Sequence, residues 1–249
     1  MKYISFFFLP LLFLCFSCEK DDENAKNGDL KHPNGNVKPL PTNIPDGDFE
    51  KWATITSGIN SYEEPKSGWW TSLNILSNLG GPKTLKKTTE AHTGHYAAKM
   101  STSVWGDLTI PGILVSGTFD FDAPNMIIEG KPFTEKPKSF RGYYKYFPVS
   151  GDSAAIFASI TKYMPQNQRR DTIAAASLAI LNTYDSYTFF DIDFTYYINY
   201  VEPDSINIVF ASSADGANFN GAVGSTLYID DISLIMQNGT EKFVWYEDN

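Results

Sequence analysis

The chain has 249 residues, of which 42% are hydrophobic, 15% aromatic and 20% charged, with a formal net charge of −9. That length supports one large β domain or two small domains, and the hydrophobic share excludes global disorder. The acidic balance argues against nucleic acid as a partner, since such binding needs a basic footprint that releases counterions.

The N-terminus reads first. Lys2 precedes an apolar run from Ile4 to Phe16, broken by Ser5 and Pro10. One positive charge before a short apolar run is the layout of a secretory signal, and the run falls short of the ~20 apolar residues of a transmembrane helix. It ends at Leu14-Cys15-Phe16-Ser17-Cys18, which resembles a bacterial lipobox. The resemblance implies a signal peptide over residues 1–17, cleavage after Ser17 and acylation of Cys18. Plain secretion with Cys18 as a free thiol is the other outcome. Cleavage and acylation would leave a mature body without thiols or disulfides, since Cys15 and Cys18 are both of the chain's cysteines. Loss of Lys2 moves the net charge from −9 to −10. The anchor would be lipid alone, and several acyl chains would hold it stably.

Glu19-Lys20-Asp21-Asp22-Glu23 follows and looks like a surface-export signal of Gram-negative lipoproteins, which implies the outer face of the outer membrane. A solvated acidic tether is the alternative. Residues 24–43 are rich in Asn, Gly, Lys and Pro and complete a flexible spacer over 18–43.

From Ile44 onward short runs alternate apolar and polar residues between Gly, Pro, Asn and Asp, the period of half-buried strands. Strands are predicted over His95–Ser103, Gly112–Phe119, Ser139–Phe147, Ser153–Tyr163, Ser186–Asn199, Ser205–Ser212 and Ser225–Ile235. Ala174–Leu181 reads as a helix by its alanines and as a strand by its surroundings. Residues 44–249 are predicted to form one all-β body, a two-sheet antiparallel β-sandwich. In the last strand Leu227 and Ile229 share one face while Ile232 and Leu234 share the other, so a β-bulge is predicted at Asp230-Asp231. Two acids at a bulge place a carboxylate and a carbonyl near one point, which suits calcium.

Several segments together resemble a known family. They are Ile44-Pro45-Asp46-Gly47-Asp48-Phe49-Glu50-Lys51-Trp52, Gly94-His95-Tyr96-Ala97-Ala98-Lys99-Met100, Gly142-Tyr143-Tyr144-Lys145-Tyr146, and the closing run Phe219-Asn220-Gly221 through Asp230-Asp231. The family is the putative carbohydrate metabolism domain of bacterial surface lipoproteins, and the resemblance covers roughly residues 44–238. Its members are similar to jelly-roll carbohydrate-binding modules. This implies a jelly-roll sandwich, a carbohydrate ligand, and polysaccharide-uptake or surface-assembly proteins as partners. It also implies a structural calcium ion where Asp48 and Glu50 of the opening strand meet Asp230 and Asp231 of the last. Hydrogen bonds from loop amides to these carboxylates are the alternative.

Sugar rings present a flat face of C–H groups on which Trp and Tyr stack. Trp69-Trp70, in a turn-rich segment, is the leading pair for an exposed platform, with Trp105 next and Trp52 expected in the core. In the strand Phe140–Phe147, Arg141, Tyr143, Lys145 and Phe147 share a face that mixes rings and cations, as a glycan-facing or a merely solvated face would. Enzyme motifs are scarce: there is no Gly-x-Ser-x-Gly elbow and no P-loop. A glycosidase needs two carboxylates at a set separation, and Asp120, Asp122, Glu129, Asp191 and Asp193 are candidates. The sequence therefore predicts a glycan-binding surface lipoprotein without catalysis, with a glycoside hydrolase and an adhesin-like structural subunit as alternatives.

Overall fold

The computed structural model describes residues 42–120, 127–216 and 220–237. The lipobox, Cys18 and most of the spacer lie outside these residues, as does Asp122. The chain opens with a hairpin of β1 (Trp52–Ser57) and β2 (Asn60–Pro65), then β3 (Trp70–Ser72) and a 3-10 helix, Leu73–Leu79. Next come β4 (Leu85–Thr88), β5 (Ala97–Ser101), and a small hairpin of β6 (Ser103–Trp105) and β7 (Leu108–Ile110). β8 (Ile113–Ser116), β9 (Thr118–Asp120), β10 (Ile127–Glu129) and β11 (Lys131–Pro132) are short. The long strands follow: β12 (Pro137–Phe147), β13 (Ala154–Met164), β14 (Arg169–Ile180) and β15 (Tyr184–Asp193). β16 (Thr195–Tyr196), β17 (Ser205–Ala211) and β18 (Thr226–Met236) close the chain.

Two antiparallel sheets face each other. One has seven strands in the order β16-β14-β13-β17-β8-β3, with β11 paired to the remaining length of β17. The other has five, in the order β15-β12-β18-β5-β4. The core between them is built by alternation: Phe140, Tyr144 and Tyr146 from β12 meet Ile156, Ile160, Ile206, Ile208 and Phe210 from the facing sheet. A second, smaller cluster of Leu73, Ile110, Ile113, Val115 and Ala211 lies around β8, on the opposite face from Leu114. Trp105 packs against it.

The seven strands predicted from alternation are present, with His95–Ser103, Gly112–Phe119 and Ser186–Asn199 each divided in two, whereas the expected opening strand carrying Asp48 and Glu50 is turn and irregular backbone up to Trp52. Residues 174–180 belong to β14, because pairing with β13 along its whole length outweighs the helix propensity of alanine. The bulge is also present. Arg141 pairs with Ser233 and Tyr143 with Asp230, three steps along β18 for two along β12. Asp231 takes the extra place with a φ of 52°. The shift returns Ile232 and Leu234 to the core beside Leu227 and Ile229.

The opening segment locks onto this strand. Asn43 donates through Nδ2 to the Leu234 carbonyl at 2.7 Å and accepts from the Leu234 amide at 2.9 Å, so the folded body takes in Asn43, one residue ahead of the expected start at Ile44. The Ile232 amide donates to the Gly47 carbonyl at 2.8 Å. A Cβ at Gly47 would stand 2.6 Å from the Ile232 carbonyl oxygen, so this close approach requires glycine.

One buried acid fastens the hairpin. Glu64 of β2 accepts from the Ser72 hydroxyl at 2.6 Å, and the same hydroxyl accepts from the Asn74 amide to cap the helix. Burial pushes the Glu64 carboxyl up from 4.5 to about 7, against the Ser72 hydrogen bonds, which pull it down. The folded state thus favours the protonated form. The contribution is fully present below about pH 4.5 and is lost as pH rises through about 7. Glu64→Gln is expected to remove a stability slope of up to about 1.4 kcal/mol per pH unit in that window. Urea midpoints at pH 5 and pH 8 measure it. Parallel midpoint shifts in variant and wild type would refute the assignment.

Candidate functional site

The bulge organises the outer face of the five-stranded sheet. Alternation on β18 turns Tyr228 and Asp230 away from the core, and the extra residue brings Asp231 to the same side. A loop over residues 89–96 lies across these carboxylates. Asp230 Oδ2 accepts from the His92 amide at 2.7 Å and the Thr93 amide at 3.3 Å, and Asp230 Oδ1 accepts from the Asp231 amide at 2.9 Å. Asp231 Oδ2 lies 2.7 Å from His92 Nδ1, and Asp231 Oδ1 accepts from the Thr93 hydroxyl at 2.8 Å. Glu50 completes the clasp, its Oε1 accepting from the His95 and Tyr96 amides at 2.7 and 2.8 Å. Burial, reinforced by the neighbouring Asp231 charge, pushes the Asp230 carboxyl up, while its amide donors pull it down.

The loop delivers two side chains to the sheet. The His92 ring stacks on Tyr143 with centroids 3.6 Å apart and planes 16° from parallel, and meets Tyr187 edge-on at 5.5 Å. Glu90 Oε2 accepts from Lys145 Nζ at 2.8 Å, Glu90 Oε1 accepts from the Tyr228 hydroxyl at 3.3 Å, and the Glu90 carbonyl accepts from the Tyr187 hydroxyl at 2.6 Å. The Lys145 hydrogen bond leads in holding the Glu90 carboxyl below its ordinary range. Phe189 of β15 pairs across from Tyr143, and its ring is 48% exposed. Arg141 pairs on one side with Asp191 and on the other with Ser233. The face therefore interleaves rings with polar and charged groups over one surface (Tyr143, Tyr187 and Phe189 among Arg141, Lys145, Glu90 and His92).

Of the residues singled out in the sequence, Arg141 and Tyr143 lie on this face. Trp69 and Trp70 do not form an exposed platform. Trp70 is 2% exposed, tilts against Phe49 and Phe210, and donates through Nε1 to the Pro45 carbonyl at 2.9 Å. Trp69 is buried in the same core. The Pro and Gly before them mark a turn that carries the pair inward at the sheet edge, where large apolar area closes the sandwich. Trp105 is half-buried on the second cluster, and Trp52 packs on the main core. Glu50, Asp230 and Asp231 all bond the loop over 89–96, Glu50 and Asp230 through its amides and Asp231 through the His92 ring and the Thr93 hydroxyl. Asp48 Oδ1 accepts from the Glu50 amide at 3.4 Å. Among the described residues no three His, Cys, Asp or Glu groups converge on one point. Lys145 lies on this face as the alternation of its strand indicated, whereas His92, Glu90, Tyr187, Phe189 and Tyr228 were missing from the expected site. The alternation of residues 186–199 carried a signal for Phe189, whereas the partner strand of that segment is not written locally.

The comparisons with known proteins accord with this fold. Residues 48–235 match the profile of the putative carbohydrate metabolism domain family, and the chain belongs to that family. No curated protein matched. Among solved structures, a putative glycoside hydrolase from Bacteroides vulgatus ATCC 8482 is 25% identical, with a TM-score of 0.65 over 75% of this chain and 96% of that one. A second, from Bacteroides thetaiotaomicron VPI-5482, is 24% identical, with a TM-score of 0.61 over 75% of this chain and 67% of that one. A carbohydrate-binding module specific for non-crystalline cellulose aligns at 11% identity and a TM-score of 0.40, over 82% of this chain and 99% of that one, too distant for a site comparison.

The carboxylate clasp has a measurable consequence. Asn tolerates the positive φ of position 231, so Asp231→Asn removes the charge without straining the backbone. Asp231 holds the loop through the His92 ring and the Thr93 hydroxyl, and charge-assisted hydrogen bonds contribute about 1.5–3 kcal/mol, so loosening them should open the loop and quicken exchange at the His92 and Thr93 amides, which Asp230 holds, by roughly 10- to 100-fold. Unchanged protection of both amides would show that the loop is held by something else.

Proposed function

We propose that this chain is a lipid-anchored surface protein whose sandwich binds carbohydrate, without catalysis, through the outer face of the five-stranded sheet. The observation that carries the reading is the set of rings on that face, Tyr143, Tyr187 and Phe189, set among Arg141, Lys145, Glu90 and His92. Rings supply apolar faces for pyranose C–H groups, and the charged and amide groups between them bond hydroxyls. Strands hold the rings in fixed rotamers, so little ordering entropy is lost on binding. Family membership supports carbohydrate as the ligand class. The lipobox supports acylation at Cys18, and the acidic run after it supports export to the outer face of the outer membrane. Polysaccharide-uptake or surface-assembly proteins are the partners such a location favours.

A second reading, glycoside hydrolysis, draws on the resemblance to the Bacteroides vulgatus protein. Its best carboxylates are Asp191 and Asp193 of β15, both exposed and two residues apart on one face. Two strand steps place them roughly 6.6 Å apart, near the lower bound for an inverting pair. Release of reducing sugar from a polysaccharide, abolished by both Asp191→Asn and Asp193→Asn, would favour this reading over plain binding.

On a glycan array the full chain should retain at least one polysaccharide. Phe189→Ala and Tyr143→Ala should each weaken that retention by about tenfold, the loss typical of an aromatic anchor. Absence of retention across the array would overturn the binding reading. The anchor is tested separately: Cys18→Ala should abolish incorporation of labelled palmitate and shift the protein from the membrane to the soluble fraction. Labelling that persists in that variant would sink the lipobox assignment.

A further inference from the structure

The chain is acidic overall, yet one row across the outer face of the five-stranded sheet is basic. Lys86 of β4 pairs with Lys99 of β5, Lys99 with Tyr228 of β18, and Tyr228 with Lys145 of β12. All four point away from the core, because their strand neighbours Leu85, Ala98, Met100, Leu227, Ile229, Tyr144 and Tyr146 fill it. Lys99 Nζ lies 5.1 Å from the Tyr228 ring centroid and Lys145 Nζ 4.5 Å from it, so two ammonium groups bracket one phenol. Lys145 Nζ also lies 5.2 Å from the Tyr187 ring.

The row is electrostatically unbalanced. Like charges placed directly opposite on neighbouring strands destabilise a sheet, and Lys86 and Lys99 stand in that relation. Glu90 reaches the row from the loop and takes Lys145 and the Tyr228 hydroxyl. Lys99 contributes to holding its carboxyl low. One end of the row is thus already a working carboxylate subsite, filled by the chain's own side chain. At the other end Lys86 is exposed and Lys99 half-exposed. At the opposite edge of the sheet β15 carries Asp191 and Asp193 beside Arg141 and Ser139, and Asp185 next to Tyr184, which pairs with Tyr146.

We propose that Lys86 and Lys99 form a carboxylate subsite, and that the ligand of this face is a carboxylated polysaccharide, a chain of uronic-acid type. The inference rests on the carbohydrate-binding reading and adds the charge of the ligand to it. The rings toward β15 carry sugar faces while the lysines toward β4 neutralise a sugar carboxylate. Screening by salt follows, because the lysines face solvent.

The test uses probe pairs that share a backbone and differ in charge: polygalacturonate against its methyl-esterified form, and carboxymethylcellulose against hydroxyethylcellulose. In affinity electrophoresis of the full chain, a charged member should retard migration and its neutral twin should not. Lys86→Gln and Lys99→Gln should each weaken that retention by about threefold, the size of an exposed ion pair, and Lys162→Gln on the seven-stranded sheet should leave it unchanged. Raising salt should weaken retention by the wild type. Equal retention of charged and neutral members would overturn the charge assignment and leave carbohydrate binding standing. Retention of neutral glycans alone would do the same. Equal retention of polyglutamate would overturn the sugar component, and loss of every glycan, charged or neutral, would bring down the parent reading with it.

Discussion

The extra residue in β18 constrains the rest of the molecule. A carboxylate taken out of water must find donors, and Asp230 and Asp231 are both buried. The bulge alone does not supply enough of them. The loop over 89–96 does, giving Asp230 the amides of His92 and Thr93 and giving Asp231 their side chains. Loop and bulge are therefore mutually dependent. The same irregularity releases the Ile232 amide from the β12 ladder, and that amide takes the Gly47 carbonyl, tying the opening segment to the closing strand.

This arrangement makes the two outer faces of the sandwich unlike. Around β8 of the seven-stranded sheet, Leu73, Ile110, Ile113, Val115 and Ala211 form a second apolar cluster with Trp105 packed against it. The five-stranded sheet instead has a loop held by carboxylates, and that loop positions an imidazole on Tyr143 and a carboxylate on Lys145. Rigid strands carry the rings and a pinned loop carries the polar groups, a division that favours recognition with little rearrangement.

The local features of the sequence were legible where one strand carries the whole signal. The phase change between Leu227-Ile229 and Ile232-Leu234 announced the bulge, and the alternation in Phe140–Phe147 correctly separated core from outer face. Features that depend on which strand lies beside which were not legible. The row Lys86, Lys99, Tyr228, Lys145 joins four strands, of which only β4 and β5 are close in the chain, and its pairings come from register. Trp69 and Trp70 misled for a related reason: Pro65 and Gly68 signal a turn, but whether a turn at a sheet edge faces solvent depends on what packs there, here Phe49 and Phe210 against Trp70. The β1–β2 hairpin also went unread, because its exposed first strand lacks a steady apolar alternation.

The disposition of the acids bears on binding against hydrolysis. A general acid for glycoside cleavage is a carboxyl whose pKa is raised while it remains within reach of the glycosidic oxygen. Among the described residues the carboxyls pushed upward are Asp48, Glu64 and Asp230. Glu64 is fastened to Ser72 beneath the hairpin, Asp230 is covered by the loop amides it accepts, and Asp48 turns back to the amide of Glu50. Each raised acid is engaged with its own chain. Glu90, the exposed acid within the ring-lined face, is held below its ordinary range by Lys145, which suits a permanent charge rather than a proton donor. On the binding reading proposed above, the flat rings and the Glu90–Lys145 pair of that face would hold a sugar in place.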